Sequence, residues 1–156
     1  MKTEYDLSKL RWRTNPYVSG PSPMHLTTQP FGAKQGVLDN SDVASLNFDG
    51  SELSIVVARE VLPDGRVHAL RILFKDARQF RYLDEADLAR YWTSEHFHRG
   101  YHVLEVQSGG WRDEESQSRG YELRAKEWLV VTGNGCVSIF SLLPPEIEQF
   151  MLERVE

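Results

Sequence analysis

The side chains best suited to chemistry in this 156-residue chain are histidines that stand close together. Glu95-His96-Phe97-His98 is followed by His102 and Glu105. Imidazole and carboxylate groups hold a transition metal when they converge. On an extended segment His96 and His98 share a face, and a turn at Gly100 would let His102 follow them. His96, His98 and His102 are therefore the candidate metal ligands. Surface and helix-end histidines give the same spacing, so no cofactor is expected. Cys136 follows a Gly-Asn-Gly turn and opens an apolar run, which reads as a small core residue rather than a nucleophile.

No phosphate-binding loop, dinucleotide fingerprint, serine elbow or His-Glu-x-x-His is present. Acidic pairs such as Asp84/Glu85 could serve as general acid and base, but they equally suit a helix cap. The balance leans away from an enzyme. The more suggestive stretch is Ser108-Gly-Gly-Trp-Arg-Asp-Glu-Glu115. Two glycines free the backbone ahead of a large aromatic and alternating charge. Trp and Arg dominate interface hot spots, and acids suit a basic partner. Trp111, Arg112, Asp113, Glu114 and Glu115 are the candidate partner-binding residues. A bulge whose Trp111 tucks back into the core is the competing reading.

The totals frame these candidates. The length fits one domain over residues 1–156, and the 40% apolar and 11% aromatic content can fill its core. A lone cysteine rules out an intramolecular disulfide, and no apolar run reaches the length of a membrane helix. With no signal-like leader, the cytoplasm is the expected location. A net charge of −5 argues against a nucleic-acid binder. Oligomeric state is open.

The elements that must position the candidates come next. Residues 1–36 carry Pro16, Pro21, Pro23 and Pro30 among several glycines, which predicts a loop-rich arm packing on the domain. Leu53–Val61 and Arg66–Phe74 are expected strands. Pro63-Asp64-Gly65 makes them a hairpin; a three-residue loop would pair Leu62 with Arg66, while a one-residue slip would reverse the buried face. Arg78–Leu83 and Tyr101–Gln107 are further strands. Asp84 caps an expected short helix with Leu88, Tyr91 and Trp92 on one face. Arg112–Gly120 reads as an exposed loop or hairpin tip. Trp128–Val131 and Cys136–Ser141 form a central hairpin through a type I′ turn at Asn134-Gly135, with Val130 opposite Ile139 and apolar residues on both faces. After Pro144-Pro145, Glu146–Val155 is an expected helix with Ile147, Phe150 and Met151 aligned. The predicted class is α+β: a mostly antiparallel sheet of about five or six strands with two or three short helices.

Charge is uneven along this path. Acids dominate from Asp39 to Asp64 and bases from Arg66 to Arg81, as expected of segments that answer each other across a hairpin.

Phe80-Arg81-Tyr82-Leu83-Asp84-Glu85 before Leu88 and Trp92, Glu105-Val106 with Gly109-Gly110-Trp111, and Trp128–Val131 with Cys136–Ser141 and Pro145 together carry a resemblance. In these stretches the chain resembles small bacterial immunity-type proteins of toxin–immunity systems. The resemblance implies a cytoplasmic, non-enzymatic protein that binds a cognate toxin and neutralises it. The alternative is a small-molecule-binding or metal-dependent enzyme built on the His96/His98/His102 region.

Overall fold

The computed structural model describes residues 26–84 and 98–153. Among them are nine strands and one helix. In chain order the strands are β1 (Thr27–Phe31), β2 (Asp42–Phe48), β3 (Leu53–Val61), β4 (Val67–Phe74), β5 (Ala77–Asp84), β6 (Val103–Ser108), β7 (Lys126–Val131), β8 (Gly135–Ser141) and β9 (Glu146–Leu152). The helix α1 (Trp111–Arg119) lies between β6 and β7. Two antiparallel sheets result, ordered β1-β6-β7-β8-β5 and β2-β3-β4-β9.

The two sheets bury one face of each against the other. Leu53, Ile55, Val57, Leu70, Ile72 and Phe74 from the four-stranded sheet meet Val103, Trp128, Val130, Val137 and Ile139 from the five-stranded sheet. These positions recur at every second residue, the period of side chains on one face of a strand. Each fully buried aliphatic side chain contributes roughly 1.5–3 kcal/mol by leaving water. Trp128 anchors the centre, its ring 5.1 Å from Phe31 and 6.4 Å from Phe74. A second cluster of Leu26, Leu83, Leu104, Val106, Leu129, Val131 and Cys136 lies on the other face of the five-stranded sheet.

This architecture corrects the α+β expectation of two or three helices: the described chain is a β-sandwich carrying a single helix. The predicted C-terminal helix is strand β9. Ile147, Phe150 and Met151 fit helical spacing, but β4 offers a free edge, and Glu146–Leu152 pairs with it residue for residue. Backbone hydrogen bonds and ion pairs to that edge outweigh the modest helix propensity of seven residues. The predicted polar loop at 112–120 is instead α1. Strand β2 had no expectation, and the helix expected after Asp84 falls in 85–97, outside the described residues. Of the expected arm, residues 1–25 lie outside them too, while Thr27–Phe31 pairs with β6.

Both expected hairpins form. In the first, the Leu62 amide donates to the Arg66 carbonyl at 2.8 Å and Gly65 takes φ 87°. Asp64 accepts from both the amide and the guanidinium of Arg66. In the second, all residues of β8 are buried, as are all of β7 but Lys126, so the hairpin is covered on both faces. Its register differs from expectation, with Val130 opposite Val137. Gly133, Asn134 and Gly135 all avoid positive φ, so the turn is not type I′. The Thr132 hydroxyl holds it instead, donating to the Gly135 carbonyl (2.7 Å) and accepting from the Gly135 amide (2.9 Å).

Candidate functional site

Sheet alternation puts Glu127 of β7 on the face opposite Trp128, beneath the segment that leads into α1. A helix begins with backbone N–H groups that need acceptors, and Gly110 at the N-cap has no side chain to supply one. Glu127 supplies it from the sheet. Its carboxylate accepts from the amides of Trp111 (3.2 Å) and Arg112 (2.8 Å), and from the Ser138 hydroxyl (3.0 Å). The carboxylate is wholly buried, and burial pushes its pKa above the usual carboxylate range. The bonds from Arg112, Ser138 and Trp111 and the charge of Arg81 oppose that rise. A β-carbon on Gly110 would stand 2.5 Å from the Glu127 Oε2, so only glycine admits this approach.

An aromatic stack completes the seat. The Trp111 ring lies 4.1 Å from Phe140 at 28°, and the Arg81 guanidinium sits 4.6 Å from the centre of the Trp111 ring. Arg112 reaches back under the helix to the carbonyls of Ala125 (2.7 Å) and Leu123. Asp113 accepts from the Gly109 amide at 2.7 Å. Glu115 accepts from the Trp111 indole and from Arg119, each at 3.2 Å. Gly120, at φ 75°, closes the helix through the Ser116 and Gln117 carbonyls. A helix N-terminus can bind an external anion, but here Glu127 already fills it.

Trp111, Arg112, Asp113, Glu114 and Glu115 thus share the N-terminal half of one helix, and Trp111 does turn back onto the sheet. Their polar atoms serve largely to fasten that helix. What α1 and its following turn present outward is Glu114, Gln117, Ser118, Arg119, Tyr121 (58% exposed), Arg124 and the Glu122 carboxylate, which bridges to Arg112 at 3.1 Å; Arg119 also hydrogen-bonds Tyr121. Sequence reasoning missed Glu127, Arg81, Ser138 and Phe140. The signal for Glu127 was a lone acid in step with Leu129 and Val131 on an apolar face.

The histidines do not share a site among the described residues. His96 lies outside them, and His98 is exposed. His102 is buried with both ring nitrogens engaged: Nδ1 is 2.7 Å from the Val131 carbonyl, and Nε2 is 3.2 Å from the Arg59 Nε. The Arg59 side chain can only donate, so Nε2 accepts and Nδ1 carries the proton. Burial lowers the His102 pKa, with Arg59 adding to the effect and the Val131 bond opposing it. Arg59 also bonds the carbonyls of Gln35 and Gly36, so His102 ties β3, the 35–36 loop and the start of β6 together. Among the described residues no three potential ligands gather around a common point. Cys136 is fully buried, and burial pushes its thiol far up, out of reach of thiolate chemistry.

No described helix is long and apolar enough to cross a membrane. Compared with family models, curated proteins and solved structures, the chain finds no match.

Proposed function

We propose that this protein acts by binding another protein, without catalysis, through α1 and the turn that follows it. The observation that carries this reading is the seat of α1. A buried carboxylate caps it and an Arg81–Trp111–Phe140 stack pins it, while its outer side offers Glu114, Tyr121 and Glu122 to solvent with Arg119 beside the tyrosine. A surface held in place before contact loses little entropy on binding. Acids beside an exposed tyrosine suit a basic partner. The resemblance to immunity-type proteins makes a basic toxin domain the partner we propose. Trp111 and Arg112 then act by positioning the helix, and Asp113, Glu114 and Glu115 supply its acidic character.

Capture on immobilised protein tests this. The wild type is compared with a Glu114→Lys/Tyr121→Ala/Glu122→Lys variant, all three sites lying on the surface. A stoichiometric basic protein retained by the wild type and lost by the variant, at equal melting temperature, is the expected result. Equal retention by both would place the interface elsewhere.

A further inference from the structure

A sandwich has four edge strands, and each presents unpaired backbone groups that another strand can satisfy. Here the edges are β1, β5, β2 and β9. Three carry features that discourage pairing. Strand β1 contains Pro30 and a register break at Thr27/Thr28. Strand β2 breaks register between Val43 and Ser45, and β5 between Ala77 and Gln79. Bulges twist an edge away from a would-be neighbour, and proline removes a donor. Strand β9 has neither. It runs from Glu146 to Leu152 in unbroken register with β4, its only strand partner among the described residues.

From this edge and its side-chain order we propose that β9 pairs with β9 of a second copy of the chain, antiparallel about a two-fold axis at Gln149, joining two four-stranded sheets into one of eight. The order of side chains selects both the partner and the register. Pairing about Gln149 uses the whole strand and sets Glu146 opposite the copy's Leu152, Ile147 opposite Met151 and Glu148 opposite Phe150. Neither acid meets an acid. Each keeps its own base on its own sheet: Lys75 lies 2.8 Å from Glu146, and Arg71 lies 3.3 Å from Glu148. Arg71 also sits 4.8 Å over the Phe150 ring, so the row that crosses the junction alternates base, acid and aromatic. On the core-facing side Ile147 meets Met151 twice. The two Gln149 amides face each other, an arrangement that amide side chains satisfy by mutual hydrogen bonds. A register centred on Glu148 would oppose like charges and leave Met151 and Leu152 of each copy outside the paired strands. Pro30 keeps β1 from joining in, so the contact runs through one layer.

Solution mass and site-specific cross-linking test this. The wild type should have twice the chain mass at micromolar concentration. Gln149→Cys should self-couple under mild oxidation, because residues paired at the axis lie about 4.5–5.5 Å apart, within disulfide reach. Glu146→Cys alone should not, its copy being about 20 Å away along the strands. A mixture of Glu146→Cys and Leu152→Cys chains should couple. The native Cys136 is buried and will not compete. Gln149→Lys, at an exposed position, should give a monomer that still unfolds cooperatively, at a temperature no longer dependent on protein concentration, since it sets two like charges face to face. A monomeric wild type would overturn the proposal, as would a dimer in which Gln149→Cys fails to couple. Either result leaves the reading of α1 standing, because that surface belongs to the other sheet.

Discussion

Glu127→Gln is the substitution that most directly weighs the buried cap. An amide offers one acceptor oxygen where the carboxylate offers two, so one of the Trp111 and Arg112 amides loses its partner. A buried donor left unsatisfied costs roughly 1–3 kcal/mol, and chemical denaturation should show a loss of that size. Gly110→Ala should lose stability by a different route, since its new methyl meets both Glu127 oxygens and Val106 within 2.9 Å. Relieving such overpacking typically costs about 1–3 kcal/mol. His102 gives the pH signature. It is held neutral in the fold, while the unfolded chain takes up a proton near 6.5. Its contribution is therefore complete above that pH and is lost as pH falls below it, by at most about 1.4 kcal/mol per pH unit. Unfolding free energies measured between neutral and mildly acid pH should fall more steeply for the wild type than for His102→Gln. None of these roles was legible from spacing alone. The neighbours that define them, Trp111 above Glu127 and Arg59 beside His102, are distant in sequence.

Among the elements, the first hairpin was legible because Pro63-Asp64-Gly65 fixes its own geometry locally. Helix α1 carried a readable signature as well: acids Asp113 and Glu114 in its first turn, Arg119 in its last and Gly120 after it. It has no buried residue, however, and so no apolar stripe to set it apart from a polar loop. Gly120→Ala isolates the C-terminal signal. Nothing lies within 4 Å of the added carbon, so the cost is that of holding a non-glycine at φ 75°. About 1 kcal/mol is expected from thermal or urea unfolding. The β7–β8 turn shows the opposite case. Asn134-Gly135 invites a type I′ turn, but Gly135 is needed for closeness rather than for φ. A β-carbon there would lie 2.3 Å from the Tyr82 hydroxyl. On the other side of the turn a β-carbon on Gly133 would run into the Asp39 carbonyl, and the Gly133 amide is held by the Ser41 hydroxyl. Packing across the molecule chose the turn.

For the molecule as a whole, the strand pattern was readable and the division into two sheets was not. Apolar runs and turn signals marked β3, β4, β5, β6, β7 and β8 as strands, but they do not say which strands share a sheet. The chain crosses from one sheet to the other between Phe74 and Ala77, across a turn that sequence alone reads as a simple break. The run of bases from Arg66 to Arg81 was expected to answer the acids before it. Arg71 and Lys75 instead pair with Glu148 and Glu146, which β9 brings alongside. Core energetics test the sandwich directly. Trp128→Ala should cost about 3–5 kcal/mol, since it empties the centre of both sheets. Trp128→Phe should cost much less than that. The buried indole N–H has no acceptor among the described residues, so removing it relieves a penalty while most of the ring contact remains.

The salt bridge between Arg71 and Glu148 spans 77 residues of chain. A ribosome making this protein therefore displays the edge of β4, with its cations unanswered, long before the strand that completes the sheet has been translated. Until then the nascent chain exposes a template for stray pairing. The four-stranded sheet therefore cannot close until β9 has been made, 77 residues after Arg71.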